Sequence, residues 1–316
     1  MEQPRRAGPK RETPGIFAFR DGLELGLTPG AMRSRRFDAP TRGLRRVPGG
    51  TVPQLEVLRA YSALDGGTYL SHRSAALAWG MWIPGGNAAL PIHVTRVKGS
   101  GGHSRRPNVV GHVAPLLERD RRVEHGVALT SPAWTWADLA GTGLGLGDLV
   151  AAGNSLLQPA LGPPRPSGVV GSHPLSSLAE IDDVLERRRS VPGVRLAREA
   201  RELLTSGFHS PMESRLRALL VEAGVDDLEV NVRLDFPDGW TVMPDLVIRW
   251  ARIAIEYDGE HHRVDRVQYE RDIDRDARLR ERGWTVLKVT ASVFTPAGRD
   301  KFLGRLRREL LRAEAA

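Results

Sequence analysis

Residues 244–259, PDLVIRWARIAIEYDG, constrain the fold more than any other part of this chain. Two apolar triplets, Leu246-Val247-Ile248 and Ile253-Ala254-Ile255, flank the four residues Arg249 to Arg252. Short β-branched runs of this kind read as strands. A four-residue connection joins them as a hairpin. With those four residues in the loop, Ile248 pairs with Ile253, and the same register sets Asp245 opposite Glu256. Side chains alternate faces along a strand, so Glu256 and Asp258 also share a face. Three carboxylates are therefore crowded onto one sheet face. Directly opposed like charges destabilise a sheet pair, and a divalent cation held by oxygen ligands offsets that repulsion. The pattern points to metal-assisted phosphodiester hydrolysis.

Composition sets wider bounds. The chain has 316 residues, enough for two or three domains with cores of their own. Its formal net charge is +8, which predicts a polyanionic partner. Residues 1–60 hold 12 Arg or Lys against 6 Asp or Glu, so much of the surplus is N-terminal. Cysteine is absent, which excludes disulfides and thiolate metal sites and fits a reducing, cytoplasmic setting. No apolar run approaches the roughly 18 residues needed to span a bilayer, so no membrane partner is expected. The N-terminus lacks the apolar stretch of a signal peptide.

Along the chain, residues 1–15 read as a disordered basic arm. A helix from Ala18-Phe19 to Leu27, a turn at Thr28-Pro29-Gly30, a second helix over Ala31 to Phe37 and a small strand or wing over Thr41 to Val47 suggest a helix-turn-helix module. Helices are expected over 53–64 and over Ser71 to Trp79, the latter capped by Ser71. Strands are expected over Pro91 to Val97 and Val109 to Val113. Helices follow over Ser131 to Leu139 and Leu146 to Leu157. Residues 159–174 form a Pro-, Gly- and Ser-rich linker. Helices over Ser176 to Arg189 and Val194 to Thr205 precede a final α/β unit that begins near His209.

In that unit Ser210, Pro211 and Glu213 make a capping box at the start of an amphipathic helix ending near Ala223. Glu213 is thus either a cap or an outer carboxylate beside the sheet. Beyond Asp258, Gly259 lets the chain leave the sheet sharply, and His261 and His262 follow within reach of a phosphate. A helix over 268–280 comes next. At 100° per residue, Tyr269, Ile273 and Ala277 form its apolar arc, and Asp272 and Asp276 fall between Tyr269 and Leu279, on the face expected to pack. Buried carboxylates need partners. Asp272 is a candidate to orient a histidine and Arg275 to meet a phosphate. Gly283 suits the position after the helix. In the strand Trp284 to Thr290, Lys288 is either a cation for the carboxylate cluster or a solvated edge residue.

The segments SPMESRLRALLVEAG, MPDLVIRW, IAIEYDGEHHR and QYERDIDRDARLRERGWTVLKVT together resemble the DUF559 family, over roughly residues 209–295. That family is related to very-short-patch-repair (Vsr-like) endonucleases of the PD-(D/E)XK superfamily. The resemblance implies a restriction-endonuclease-like mixed sheet flanked by helices. It implies that Asp245, Glu256 and Asp258 are metal-binding acids, that Glu213 is the helix-borne acid, and that His262, Asp272 and Arg275 belong to the catalytic set. It also implies Mg2+ or Mn2+ as cofactor. The superfamily's lysine, two residues after the second-strand acid, is replaced here by Asp258. Either His262 takes the base role, or Lys288 substitutes, or the domain binds nucleic acid without cutting it. Upstream, LSHRSAA, IHVT and LTSPAWTW are similar to AbiEi-type antitoxin domains, a looser likeness over about residues 16–160 that implies a winged-helix start and DNA binding.

The expected chain is α/β throughout. Residues 16–160 form a winged-helix plus α/β region, residues 161–208 a linker and helical pair, and residues 209–316 a nuclease-fold domain. The expected activity is metal-dependent endonuclease action on nucleic acid, most simply DNA. The alternative is a non-catalytic DNA-binding regulator of the antitoxin-repressor kind. His72 and His93 lack zinc-type spacing, and His72 reads as a packed first-turn residue. The glycines of 141–147 read as an interhelical loop rather than a phosphate cradle. Trp79, Trp82, Trp134 and Trp136 read as core or interface aromatics.

Overall fold

A computed structural model describes residues 13–85, 90–102, 104–158, 171, 174–259 and 266–315, without the side chains of 266–272. The fold is mixed α/β and divides into two units, Met1–Leu144 with Pro164–Ala197, and Gly145–Pro163 with Arg198–Ala316.

The first unit begins with β1 (Ile16–Ala18), then α1 (Phe19–Glu24), α2 (Pro29–Met32) and β2 (Leu44–Arg46), which pairs antiparallel with β1. Thr28 caps α2 by accepting the Ala31 N–H. The basic helix expected over Ala31 to Phe37 is absent, because α2 is a single turn ending at Met32. The chain is drawn out instead, so that Asp38 exchanges two backbone hydrogen bonds with Arg46 of β2. The helix α3 (Gln54–Ser62) follows.

A five-stranded sheet forms the core of this unit. It contains β3 (Thr68–Leu70), β4 (Ile92–Val97), β5 (Val109–Ala114), β6 (Arg121–Glu124) and β7 (Val127–Thr130) in the order β5-β4-β3-β7-β6. β4 runs parallel to β5 and β3 to β7, while the other neighbours are antiparallel. The helix α4 (His72–Trp79) links β3 to β4. Ser71 stands at its N-cap, but its hydroxyl makes no cap hydrogen bond and lies 3.0 Å from His72 Nδ1. The helix α5 (Pro132–Leu139) is buried on all sides. Trp79, Trp134 and Trp136 are core residues, as their sequence context predicts.

The chain then enters the second unit as α6 (Leu146–Leu157), and α7 (Leu178–Arg187) belongs again to the first. Read from sequence, α6 goes with the region before it. In the structure it packs on α9 (Pro211–Glu222), where Asn154 Nδ2 donates to Ser214 Oγ at 3.1 Å. Between them in sequence lies α8 (Val194–Glu202). Residues 1–12 and most of the linker lie outside the described residues.

The second unit continues with β8 (Leu228–Val230), the small pair β9 (Leu234–Asp235) and β10 (Thr241–Val242), then β11 (Leu246–Ile248), β12 (Ile253–Tyr257), α10 (Arg266–Glu281), β13 (Thr285–Val289) and α11 (Pro296–Glu314). Its sheet order is β13-β12-β11-β8, antiparallel throughout except for the parallel pair β12–β13. The hairpin has the expected register, with Ile248 against Ile253 and Leu246 against Ile255. The parallel pair needs a crossover, and α10 supplies it. Gly283 ends that helix at φ +77°, with the Trp284 N–H on Leu279 O and its own N–H on Arg280 O, the paired bonds of a Schellman motif. Val247, Ala254 and Val286 cover one sheet face and pack with Leu279 of α10 into a core. Among the described residues, no helix is long and apolar enough to cross a membrane.

Candidate active site

The hairpin register carries Asp245 and Glu256 onto the face that Val247 and Ala254 share with the core. They stand one step beyond those apolar residues, where the core gives way to polar side chains. Asp245 precedes β11, and its Oδ2 accepts the Tyr257 backbone N–H at 2.7 Å. That bond continues the ladder through a side chain and fixes the carboxylate against the end of β12.

Parallel pairing of β12 with β13 sets Glu256 beside Lys288. Lys288 does not bind Glu256, however. Its Nζ lies 2.8 Å from Asp276 Oδ2, while Arg275 Nη2 lies 2.9 Å from Glu256 Oε2. Two adjacent residues of α10, an arginine and an aspartate, thus meet an acid and a base on adjacent strands. Neither pairing satisfies its acid completely. Among the described residues, Glu256 Oε1 and Asp276 Oδ1 are buried with no hydrogen-bond partner.

Glu213 is buried at the start of α9. Ser210 caps the helix by accepting the Glu213 N–H at 3.2 Å, as the sequence predicts. The return half of the capping box is displaced by one residue, because the Glu213 carboxylate accepts from the His209 N–H at 3.0 Å and from Asn231 Nδ2 at 2.9 Å. It therefore caps and also faces the site.

These placements perturb the acids. Burial pushes the Asp245 carboxyl up to about 6, against the Tyr257 N–H, and the nearby Glu213 charge pushes the same way. Burial pushes Glu256 up to about 7, opposed first by Arg275 and reinforced by Asp245 and Asp276. Strongly shifted acids that share a charge partner are a mark of functional sites.

Asp258 is half-buried just past β12, and its N–H extends the β12–β13 ladder to Val289 O at 2.7 Å. Among the described residues, Asp245, Glu256 and Asp258 do not form a group whose ligand atoms all lie within 4.8 Å, a condition met by His72, His93 and His112 in the first unit. His262 lies outside the described residues, as does the side chain of Asp272.

No family model matches the chain, and no curated protein matches it significantly.

The α10 helix buries Asp276 beside Leu279, the face expected to pack, but not the rest of its apolar arc: Ile273 is 52% exposed and Ala277 is also exposed. Leu279 anchors the helix in the core, and the Arg275 and Asp276 ion pairs fix its rotation. Periodicity misplaced Ile273 and Ala277 because it weighs only apolar side chains, and here ions set the buried arc. Asn231 is a further member that the sequence did not single out. It sits at φ +47° directly after β8, and a left-handed Asn at a strand end is a weak signal on its own.

Proposed function

We propose that the second unit is a metal-dependent nuclease-type domain that hydrolyses phosphodiester bonds in nucleic acid, DNA in the first instance. The observation that carries this proposal is the opposition of Asp245 and Glu256, a half-buried and a buried acid with raised pKa values at the end of an antiparallel pair. The flanking helices α9 and α10 bring Glu213 and Arg275 to the same place. This arrangement also supports the DUF559-like, endonuclease-like fold expected from the sequence.

The donor set fits a hard divalent ion. Glu256 Oε1 is a buried carboxylate oxygen with no hydrogen bond among the described residues, and Asp245 adds a second oxygen donor across the hairpin. Mg2+ is commonly bound by one or two carboxylates, with water and phosphate completing its shell. Asp245 and Glu256 are the proposed ligands, with Asp258 as an outer partner. Such an ion, Mg2+ or Mn2+, lowers the pKa of water and neutralises charge on a phosphoryl group.

The protein's own groups do the rest. Tyr257 N–H holds Asp245 in place. Arg275 keeps Glu256 from recoiling from Asp245 and supplies a cation for a phosphate bound there. Lys288 holds Asp276 rather than the reacting groups. The resemblance gives the proton-acceptor role to His262, oriented by Asp272, both of whose side chains lie outside the described residues. Glu213 fixes the start of α9 and adds negative charge behind Asp245.

A second proposal has its own observation. Arg275 on Glu256 and Lys288 on Asp276 already neutralise two of the acids, and Asp258 stands where the superfamily has lysine. A domain balanced in this way suits a DNA-binding regulator that keeps the fold without the chemistry.

The two separate on incubation with plasmid, short duplex and single-stranded DNA in Mg2+, Mn2+ or EDTA. Cleavage that needs the ion and disappears in Asp245→Ala supports the nuclease. Salt-sensitive binding with no cleavage of any substrate supports the regulator. Binding weakened by salt is expected of both and does not discriminate.

A further inference from the structure

The first unit brings three histidines together from three elements. His93 lies on β4 and His112 on β5, and the parallel register pairs His93 with Val110 and Thr95 with His112. The two histidines are therefore diagonal neighbours on one sheet face. His72 opens α4, which is clipped to β4 at the same residue: the Ser71 N–H donates to His93 O at 3.0 Å and the His93 N–H to Ser74 Oγ at 2.9 Å. His72 sits at φ +50°, a backbone conformation that a residue other than glycine keeps only when its surroundings hold it. The rings of His72 and His112 stack at 3.8 Å between centroids.

The ring nitrogens converge. His93 Nδ1 lies 3.0 Å from His112 Nε2, and one nitrogen from each of the three rings lies within 4.8 Å of the others. Two imidazoles at about 2.0–2.1 Å from a tetrahedral ion stand roughly 3.4 Å apart, so the His93–His112 pair is already near ligand spacing.

A second observation comes from Asp138 of α5, which is 4% exposed. Its Oδ1 is held by Arg188 Nη1 at 2.6 Å, and Arg188 lies over the Trp134 ring. Its Oδ2 is buried, has no hydrogen-bond partner among the described residues, and lies 3.4 Å from His72 Nδ1, which Ser71 Oγ also approaches at 3.0 Å. A buried carboxylate aimed at the far nitrogen of a ligating histidine is the usual outer support of a metal site, because it fixes the tautomer and turns the other nitrogen inward. Simple packing of His72 against the sheet would need neither the carboxylate nor the convergence.

We propose that His72, His93 and His112 bind one divalent transition-metal ion of the zinc class, with Asp138 orienting His72 from behind. Three neutral nitrogen donors suit Zn2+, Co2+ or Ni2+ and disfavour Mg2+, which takes oxygen ligands. Three protein ligands leave one position for water or an anion, and all three histidines are only half-buried. This site is independent of the carboxylate site of the second unit.

The test uses tag-free, full-length protein stripped with chelator, titrated with Zn2+ by calorimetry and with Co2+ by visible absorbance, in excess Mg2+. We expect one Zn2+ bound per chain at this cluster and the intense visible bands of tetrahedral Co2+. A His93→Ala, His112→Ala double variant should lose affinity by about 100-fold or more, and Asp138→Asn by about tenfold. Asp245→Asn and His125→Ala should leave this binding unchanged. Because the double variant removes packing as well, imidazole 15N resonances of the unaltered protein provide a second readout. Zn2+ should shift three rings, in slow or intermediate exchange. Absence of saturable binding, binding that survives the folded double variant, or unshifted ring resonances would each overturn the proposal.

Discussion

Arg275 Nη2 stands 2.9 Å from Glu256 Oε2, one helical residue away from the aspartate that holds Lys288. This guanidinium is the largest influence opposing the burial of Glu256. Arg275→Gln should therefore raise the Glu256 carboxyl further above about 7, by about one unit. Divalent-ion binding must displace that proton, so its pH profile should move upward by a similar amount. Carboxyl 13C titration measures the first effect and calorimetry at several pH values the second. An unchanged Glu256 titration would show that the pair carries no such coupling.

Asp245 and Glu256 should make stability depend on pH. Their folded pKa values of about 6 for Asp245 and about 7 for Glu256 lie above the ordinary values of 3.8 and 4.5. The folded chain thus holds more protons than the unfolded chain between these limits. Their contribution to stability is fully present below the ordinary values and is lost as pH rises through the folded ones. Asp245→Asn and Glu256→Gln should each stabilise the ion-free protein at pH 8 by about 1–3 kcal/mol, with little effect at pH 4. Added Mg2+ should raise the Tm of the unaltered protein but not of the variants. Calorimetric melts at both pH values decide it, and a gain that is equal at both would refute the linkage.

Lys288 and Asp276 should behave as a coupled pair. Asp276 is buried, with Lys288 Nζ at 2.8 Å and Arg280 at 3.8 Å. Lys288→Met leaves a buried carboxylate short of its main counter-charge and should cost about 1–3 kcal/mol, less than a fully buried pair because the lysine is partly exposed. Adding Asp276→Asn should recover most of that loss. Urea midpoints of the two single variants and the double variant measure the coupling. Additive losses would mean that the contact contributes nothing.

Asn154 should matter to the second unit although it lies far upstream in sequence. It is fully buried on α6, donates to Ser214 Oγ at 3.1 Å and accepts the Thr205 N–H at 2.9 Å. Asn154→Ala strands both partners and should cost about 1–3 kcal/mol. If the urea midpoint stays where it was, α6 does not belong to that unit.

The hairpin was legible in the sequence because its information is local. Two apolar triplets and a four-residue loop fix the register by period-two alternation, and the register alone sets Asp245 against Glu256. The Ser210 cap and the Gly283 stop were legible for the same reason, since each depends on a few consecutive residues. The α2 turn was not, because Asp38 exchanges bonds with a strand eight residues away.

The wheel of α10 put Asp276 and Leu279 on the packed side but wrongly added Ile273 and Ala277, because the side chains that fix its rotation are charged and their partners, Glu256 and Lys288, lie on strands before and after it. The three histidines are the extreme case. Spaced 21 and 19 residues apart, they form no motif, and a helix start and two parallel strands assemble them. Sequence by itself determined which residues lie side by side along one strand, loop or cap, since backbone geometry transmits order over a few residues. Only the tertiary structure decided which distant charges and rings share a site, because desolvation and ion pairing act through space and leave no period in the chain.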